Sequence, residues 1–279
     1  MILSDNHELF MDEIVNDFTI KFKRFNEFQI KAVETLFFFH NVCEKYEIPY
    51  YLAYGSLLGA IRDGGQIPWD YDVDVQVPVK YADKLIEVLQ IECADKYHFI
   101  TRFTDKRYRT YTLKLAPVGF DCEILHVDVF WLYGMENNEF NGYKRKVKKY
   151  SNILLYKYLP YKYFMISRKS EKIMYIFNKF VSKLYFPSFI DMFFKRLFLR
   201  DINDYEYITD NDNSTLLRKE WLENRILLKC YNGAELYIPE GYDYILKQLF
   251  GNYNSFPSID SRVNEFTRSL KRLNQLGKI

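Results

Sequence analysis

The segment from Tyr54 to Pro78, YGSLLGAIRDGGQIPWDYDVDVQVP, holds the residues whose types and spacing best fit a chemical site. Asp70, Asp72 and Asp74 stand at alternate positions, and alternate residues of a strand point to the same face. Three carboxylates on one face repel one another unless a cation lies among them. The pattern therefore predicts a Mg²⁺ or Mn²⁺ site of the kind that phosphoryl-transfer enzymes use.

The residues between and after these aspartates indicate the element that carries them. Val73, Val75 and Val77 would point to the face opposite the carboxylates. Three alternating acids also occur on solvated edge strands, but the valines and the adjoining Pro-Trp argue against full exposure. We therefore expect a strand over Asp72–Val77 with one buried face.

A Gly-Ser pair precedes the aspartates and predicts a turn at the start of a helix. Glycine lets the backbone approach a phosphate closely, and a serine hydroxyl with exposed N–H groups can bind it. Most Gly-Ser pairs are simple turns, so a role in phosphate binding for Gly55 and Ser56 depends on the aspartates that follow.

A fourth aspartate lies in the apolar run CEILHVDVFWL. A buried aspartate costs several kcal/mol unless it is paired or binds a metal. Asp128 is therefore a candidate third metal ligand on a neighbouring strand, with a backbone-bonded core residue as the alternative. His126 shares its face and is either a supporting group or a core histidine. Lys114 and Arg109 are candidate phosphate ligands near the site.

The run IPYYLAYGSLLGAIRDGGQIPWDYDVDVQVP resembles the signature of the LicD / fukutin-related family, which belongs to the nucleotidyltransferase-fold superfamily. HVDVF resembles the third-carboxylate strand of that family, and LYIPEGYDYILKQLFGNYNSFP resembles its closing motif. The positions that match the first motif are Gly55, Leu57, Leu58, Gly59, Arg62, Pro68, Trp69, Asp70, Asp72 and Asp74.

The resemblance implies an α+β fold with a nucleotidyltransferase-like mixed sheet flanked by helices and a helical, basic-aromatic insertion. We expect a catalytic core over residues 1–140, the basic-aromatic segment over 141–213, and a C-terminal helical region over 214–279 that completes the catalytic unit. In the last region, the pattern from Ser214 to Lys229 predicts a helix.

The resemblance also implies a phosphotransferase that moves a phospho-alcohol, first of all phosphocholine from CDP-choline, to a hydroxyl of a cell-surface glycan. Lipopolysaccharide, capsule and teichoic acid are such glycans. The alternatives are ribitol or glycerol phosphate from a CDP donor, or a true nucleotidyltransferase that moves NMP from an NTP. A non-catalytic glycan- or lipid-binding module is a further alternative, against which the retained carboxylates count.

Roles for individual residues follow from the same resemblance. Asp72, Asp74 and Asp128 would hold Mg²⁺ or Mn²⁺ on the donor pyrophosphate. Gly55 and Ser56 would bind donor phosphate. Lys114 is added to these phosphate ligands because of its position near the site and not from the resemblance. Arg62 would offset transition-state charge, or form a surface salt bridge. Asp70 would act as base on the acceptor hydroxyl, or orient Arg62. A choline group would need an aromatic box, for which the candidates are Trp69, Trp131, Trp221, Tyr231 and Tyr253.

Charge is spread unevenly over a chain of 279 residues whose net charge is only +2. Residues 143–200 hold 15 Lys and Arg against Glu171 and Asp191, together with 16 Tyr and Phe. This composition predicts peripheral contact with an anionic membrane or a lipid-linked glycan; a helical subdomain with solvated lysines is the alternative. No nucleic-acid recognition motif accompanies the charge, so we expect no nucleic-acid partner.

The remaining composition excludes several classes of protein. The chain is 48% hydrophobic and 27% charged, which indicates a globular protein. Its four cysteines stand far apart without a CxxC pair, which argues against a zinc module or a disulfide framework. The start, MILSDNHELFMDEIV, is unlike a signal peptide, so we expect a cytoplasmic protein, at most peripheral at the inner face of the membrane.

Overall fold

The structure is a computed structural model that describes residues 19–164, 166, 168–212, 215–231 and 233–275. It confirms the expected mixture of helices and strands around a mixed sheet. The start of the chain, on which the expectation of no signal peptide depended, lies outside the described residues.

The α-helices of the described part of the chain are α1 (Thr19–Lys45), α2 (Tyr54–Arg62), α3 (Ala82–Glu92), α4 (Asn137–Tyr158), α5 (Lys169–Lys183), α6 (Pro187–Leu197), α7 (Tyr242–Phe250) and α8 (Ile259–Gln275). The strands are β1 (Tyr51–Leu52), β2 (Val73–Pro78), β3 (Tyr97–Ile100), β4 (Leu113–Pro117), β5 (Val127–Met135), β6 (Tyr207–Asp210), β7 (Leu217–Arg218), β8 (Arg225–Cys230) and β9 (Ala234–Pro239).

The main sheet has the order β1-β2-β5-β4-β3, and β6 and β7 extend it from the second half of β5. β2 and β5 run parallel, whereas the other pairs are antiparallel. β8 and β9 form a separate antiparallel hairpin. The long central strand β5 therefore contacts β2 along one edge and both β4 and β6 along the other.

The buried side of the sheet explains why β2 and β5 pair. Val73, Val75 and Val77 of β2 are fully buried, as are Val127 and Val129 of β5. Branched side chains fit such a pleated, buried surface well. The alternation of valine and aspartate therefore directs the valines into the core and leaves the aspartates on the other face.

Two local predictions are wrong. The segment predicted as a helix from Ser214 to Lys229 forms, over its described residues 215–229, β7, a short 3₁₀ turn and most of β8. Its apolar run RILLKC pairs with AELYIP of β9, and this pairing overrides the helical spacing. Gly55 and Ser56 lie inside the first turn of α2 and not in a turn before it.

The basic-aromatic segment is helical, as predicted, through α4, α5 and α6. After α6 the chain returns to the main sheet, where β6 pairs with the second half of β5. None of the helices in the described ranges is both long and apolar enough to cross a membrane.

Candidate functional site

Three charged residues form a row across the centre of the main sheet. Asp74 of β2 is the direct partner of Asp128 in the parallel ladder. Lys114 of β4 is the partner of Asp128 on its other side. Because side chains of paired residues point to the same face, the row places two carboxylates and one ammonium group side by side.

Asp128 lies at the centre of a buried ion cluster. The Lys114 ammonium is 2.9 Å from one carboxylate oxygen of Asp128, and the His126 Nε2 is 3.0 Å from the other. Lys114 and His126 also contact each other at 2.7 Å. Burial alone would raise the pKa of Asp128, but His126 and Lys114 outweigh it and hold that pKa below its usual value.

Two further aspartates, Asp70 and Asp72, lie close to Asp74. Burial raises the pKa of Asp74 well above its usual value, and the charges of Asp72 and Asp128 raise it further. Burial also raises the pKa of Asp70, and Asp72 adds to it by charge and by a hydrogen bond. Asp70 and Asp72 precede β2, so of the three aspartates Asp74 alone lies within the strand. The three nevertheless lie close together, since the charges of Asp72 and Asp70 both act on Asp74.

The chemistry of this oxygen-rich group fits a hard divalent cation. Carboxylates are the ligands that Mg²⁺ and Mn²⁺ prefer, and a cation among them would relieve the repulsion that raises the pKa of Asp74. The geometry is not that of a ready-made site: in the described ranges no three His, Cys, Asp or Glu side chains are grouped so that they could hold a metal ion. Lys114 supplies positive charge beside Asp128 instead.

The first turn of α2 contacts the aspartates. The Ser56 Oγ accepts a hydrogen bond of 2.8 Å from the backbone N–H of Asp74. A Cβ atom on Gly55 would lie 2.9 Å from Oδ2 of Asp70, closer than real Cβ contacts allow. Ser56 therefore fixes the start of β2, and the absence of a side chain at Gly55 makes room for the Asp70 carboxylate.

Two buried glutamines hold the loop between α2 and β2. The Gln29 amide of α1 donates to the carbonyl oxygens of Ile67 and Pro68 at 3.1 and 3.2 Å, and also to that of Asp70. The Gln66 amide donates to the carbonyl oxygen of Asp72 at 2.8 Å. Sequence reasoning missed both residues. A glutamine on the apolar face of α1 was the available signal, since a buried amide needs partners.

Tyr231, in the turn between β8 and β9, contacts the segment between α2 and β2. Its backbone N–H donates to the carbonyl of Gly64 at 2.7 Å, and its hydroxyl lies 3.5 Å from the side-chain oxygen of Gln66. Burial raises the pKa of Tyr231, and the neighbouring charges of Asp70 and Asp74 add to the rise. Tyr231, which is 2% exposed, therefore supports from inside the protein the aspartate loop, which is the segment of residues 63–72 between α2 and β2.

Arg62 forms a buried ion pair and not a surface salt bridge. Its guanidinium makes two hydrogen bonds of 2.9 and 2.8 Å to Asp63, and its side chain is only 6% exposed. The guanidinium also lies 4.7 Å from the ring centre of Phe256 and 5.6 Å from that of Trp69. Arg62 thus ties the end of α2 to the segment that follows α7.

The other sequence candidates lie in separate environments. Trp131 is fully buried and donates its indole N–H to the carbonyl of Tyr111. Trp221 stacks on Tyr244 at 5.6 Å, and the Tyr253 hydroxyl donates to Asp243. Arg109 makes an ion pair with Glu123 at 2.6 Å. Of the five aromatic residues, Trp69 and Tyr231 lie beside the aspartate loop.

Two comparisons with known proteins give matches to the same family. A family model described as "LicD/FKTN/FKRP, nucleotidyltransferase domain" matches residues 47–176, which include α2, the aspartate loop and the whole of β5. The predicted resemblance of the chain to the LicD family is therefore confirmed over these residues. The chain is also similar to "Lipopolysaccharide cholinephosphotransferase LicD" of Haemophilus influenzae, with 27% identity over 248 residues that cover 83% of this chain and 91% of that protein.

These matches confirm the predicted resemblance to the LicD family and the prediction that the chain is a phosphotransferase enzyme. The roles given to Asp70, Asp72, Asp74, Asp128 and Arg62, and the Mg²⁺ or Mn²⁺ cofactor, stay predictions. The same holds for Gly55, Ser56 and Lys114 as donor-phosphate ligands.

Proposed function

We propose that this protein transfers phosphocholine from CDP-choline to a hydroxyl of a cell-surface glycan such as lipopolysaccharide, with a divalent cation. The observation that supports it most is the pairing of Asp74 with Asp128 beside Asp70 and Asp72. The Haemophilus relative, whose name gives lipopolysaccharide and choline phosphate, supports the choice of donor group and acceptor.

In this proposal Asp72, Asp74 and Asp128 hold the cation. When bound, Mg²⁺ or Mn²⁺ would neutralise charge on the donor pyrophosphate and favour departure of CMP. Together with His126, Lys114 lowers the pKa of Asp128 and so favours its ionised form in the metal-free protein. It is also the cation placed to contact a donor phosphate that enters beside Asp128.

We assign the proton transfer to Asp70. It is the carboxylate of this group that the proposal does not assign to the cation, and a carboxylate can accept a proton as a general base. The space at Gly55 leaves Oδ2 of Asp70 in place to accept the proton of the acceptor hydroxyl. Arg62 is bonded to Asp63, so it supports the wall of the site through Trp69.

The test is turnover of CDP-choline by the purified full chain with Mn²⁺ and a lipopolysaccharide acceptor. We expect release of CMP and a glycan whose mass increases by one phosphocholine group. Asp74→Asn should remove this activity, whereas Asp95→Asn, a matched change at an exposed aspartate after α3, should leave it intact.

Two results would contradict the proposal. Full activity of the Asp74→Asn variant would refute the assigned site. Release of pyrophosphate from an NTP, without use of any CDP-alcohol, would show a nucleotidyltransferase instead. Turnover of CDP-ribitol or CDP-glycerol in place of CDP-choline would retain the site and change the donor.

A further inference from the structure

The α5–α6 surface, defined here as the outer faces of α5 and α6, the turn between them and Leu199 just after α6, is the most apolar exposed region that the structure describes. It contains ten of the nineteen large hydrophobic side chains that are exposed in the described residues, each 46 to 77% exposed. They are Ile173, Met174, Ile176, Phe177, Phe180, Leu184, Phe186, Phe189, Met192 and Leu199. Apolar exposure concentrated in one region in this way is typical of a docking site for a protein or a membrane.

The stripe on α5 follows the helical repeat. Ile173, Phe177, Phe180 and Leu184 recur at the spacing of i, i+4, i+7 and i+11, which places them along one side of the helix. In an ordinary surface helix such a stripe faces the core. Here it faces solvent.

The side of α5 that packs against the protein is the polar one. Ser182 is the buried residue of the helix, at 1% exposure. The Lys157 ammonium of α4 donates to the carbonyl oxygens of Ser182 and Tyr185 at 3.2 and 2.9 Å. Tyr175, on the same side, contacts the ring of Tyr156. The orientation of α5 is therefore fixed by its contacts with α4, and the exposed stripe is a consequence of that orientation.

Positive charge lies along one flank of the stripe. Lys169, Lys172 and Lys183 fall on the same side of α5 by the helical repeat, and α6 adds Lys195 and Arg196 at its C-terminal turn. Lys179 lies on that side too, but its ammonium donates to the carbonyl oxygen of Lys157 in α4.

The two acids of residues 143–200, Glu171 and Asp191, are too few to balance the 15 Lys and Arg of the same segment. Asp191 is paired with Arg102 at 2.7 Å. Glu171 accepts the backbone N–H of Arg168 at the start of α5. The α5–α6 surface is therefore apolar at its centre and basic at its edge.

We infer that the α5–α6 surface docks on an anionic lipid bilayer, with α5 lying in the interfacial plane. Apolar side chains would enter the headgroup and acyl boundary, and the flanking lysines would contact lipid phosphates. Charge complementarity decides between occupants: a second copy of this chain would bring the same basic flank against its own, whereas an anionic bilayer matches it. The inference does not depend on the proposed function, because it involves neither donor nor acceptor.

The test is cosedimentation of the full chain with vesicles, without CDP-choline or glycan. We expect binding to phosphatidylcholine vesicles that contain phosphatidylglycerol, and much weaker binding to phosphatidylcholine alone. The double variant Phe177→Glu, Phe180→Glu should lose roughly tenfold or more in partitioning. Its matched control is Ile91→Glu, a change at a 65% exposed isoleucine of α3 outside the surface, which should bind like the wild type.

A second pair of variants tests the charge. Lys172→Gln with Lys183→Gln should weaken partitioning by about fivefold per lysine, whereas Lys84→Gln with Lys96→Gln, at exposed lysines elsewhere, should not. All variants should keep the wild-type unfolding midpoint, since these side chains are exposed.

Equal sedimentation of the wild type and the double phenylalanine variant would overturn the inference. So would the absence of binding at low salt. Light scattering without vesicles supplies the remaining outcome. A dimer that dissociates in the phenylalanine variant, combined with no vesicle binding, would assign the surface to a second copy of the chain.

Discussion

Asp74 and Asp128 face each other across the parallel ladder of β2 and β5, and their environments push their pKa values in opposite directions. Burial and neighbouring carboxylates raise the pKa of Asp74. Lys114 and His126 lower that of Asp128 against the effect of burial. The pair therefore combines a carboxylate whose ionised form is favoured, that of Asp128, with one whose ionised form is disfavoured without a bound cation, that of Asp74.

Replacing Asp74 should weaken metal binding without destabilising the metal-free protein. In the wild type, Mn²⁺ at a hundredfold excess over its dissociation constant should raise the free energy of unfolding by about 2.7 kcal/mol. Asp74→Asn should largely remove this gain and make the metal-free protein more stable at neutral pH, since it removes a charge that burial and Asp72 disfavour. Urea unfolding with and without Mn²⁺ measures both effects. Equal stabilisation of variant and wild type by Mn²⁺ would exclude Asp74 as a ligand.

Gly55 offers a test of the position of Asp70. Gly55→Ala places a Cβ atom 2.9 Å from Oδ2 of Asp70, so that carboxylate must move. Displacing a catalytic group costs roughly tenfold to a hundredfold in rate, and we expect that fall in kcat for CMP release.

Gly142→Ala is the matched control. Gly142 lies in α4 with nothing within 4 Å of its Cβ position, so alanine should leave kcat unchanged and add about 0.5–1 kcal/mol to stability. Equal kcat values for the two variants would show that Asp70 does not need its present position.

The parts of the site that sequence could predict are those that local alternation determines. In both VDV segments the valines require a buried face, so Asp74 and Asp128 had to point away from it. The contact between Tyr231 and Gln66 joins residues 165 positions apart, and no local pattern indicates it. For α5 the helical repeat predicts an apolar and a polar face, but only the contacts with α4 decide which of them is buried. The strand at Arg225–Cys230 was missed because its partner β9 determines its conformation.

Lys114 should stabilise the metal-free protein. Lys114→Met removes the ammonium 2.9 Å from Asp128 and leaves a largely buried carboxylate with less compensation. Loss of one partner of such a pair costs about 3–5 kcal/mol, which urea unfolding would measure. The control is Lys247→Met, which breaks an exposed pair with Asp243 of α7 and should cost less than about 0.5 kcal/mol.

The effect of Mn²⁺ on the stability of the Lys114→Met variant tests whether the cation binds at Asp128. If a cation binds at Asp128, Mn²⁺ should restore more of the unfolding free energy to Lys114→Met than it adds to the wild type. A variant that Mn²⁺ stabilises no more than the wild type would place the cation away from Asp128.

Asp210 should make stability fall as pH rises. It lies at the end of β6, where its Oδ2 accepts hydrogen bonds from the Tyr54 hydroxyl and the Gln76 amide at 2.5 and 2.6 Å. Burial raises the pKa of Asp210 to about 6, and the charge of Asp212 adds to the rise. The folded state thus favours the protonated acid, so the stabilisation is complete below the unfolded pKa of about 3.9 and is lost as pH rises through about 6.

The change across that interval should be about 3 kcal/mol in the free energy of unfolding. Asp210→Asn keeps a side-chain oxygen for Tyr54 and Gln76 but does not ionise. The change in its free energy of unfolding between pH 4 and 7 should therefore be smaller than that of the wild type by about that amount. Urea unfolding at several pH values measures this, with Asp95→Asn as the exposed control that should follow the wild-type profile. If Asp210→Asn follows the wild-type profile too, Asp210 is ionised throughout that range in the folded protein, and another group must account for any pH dependence.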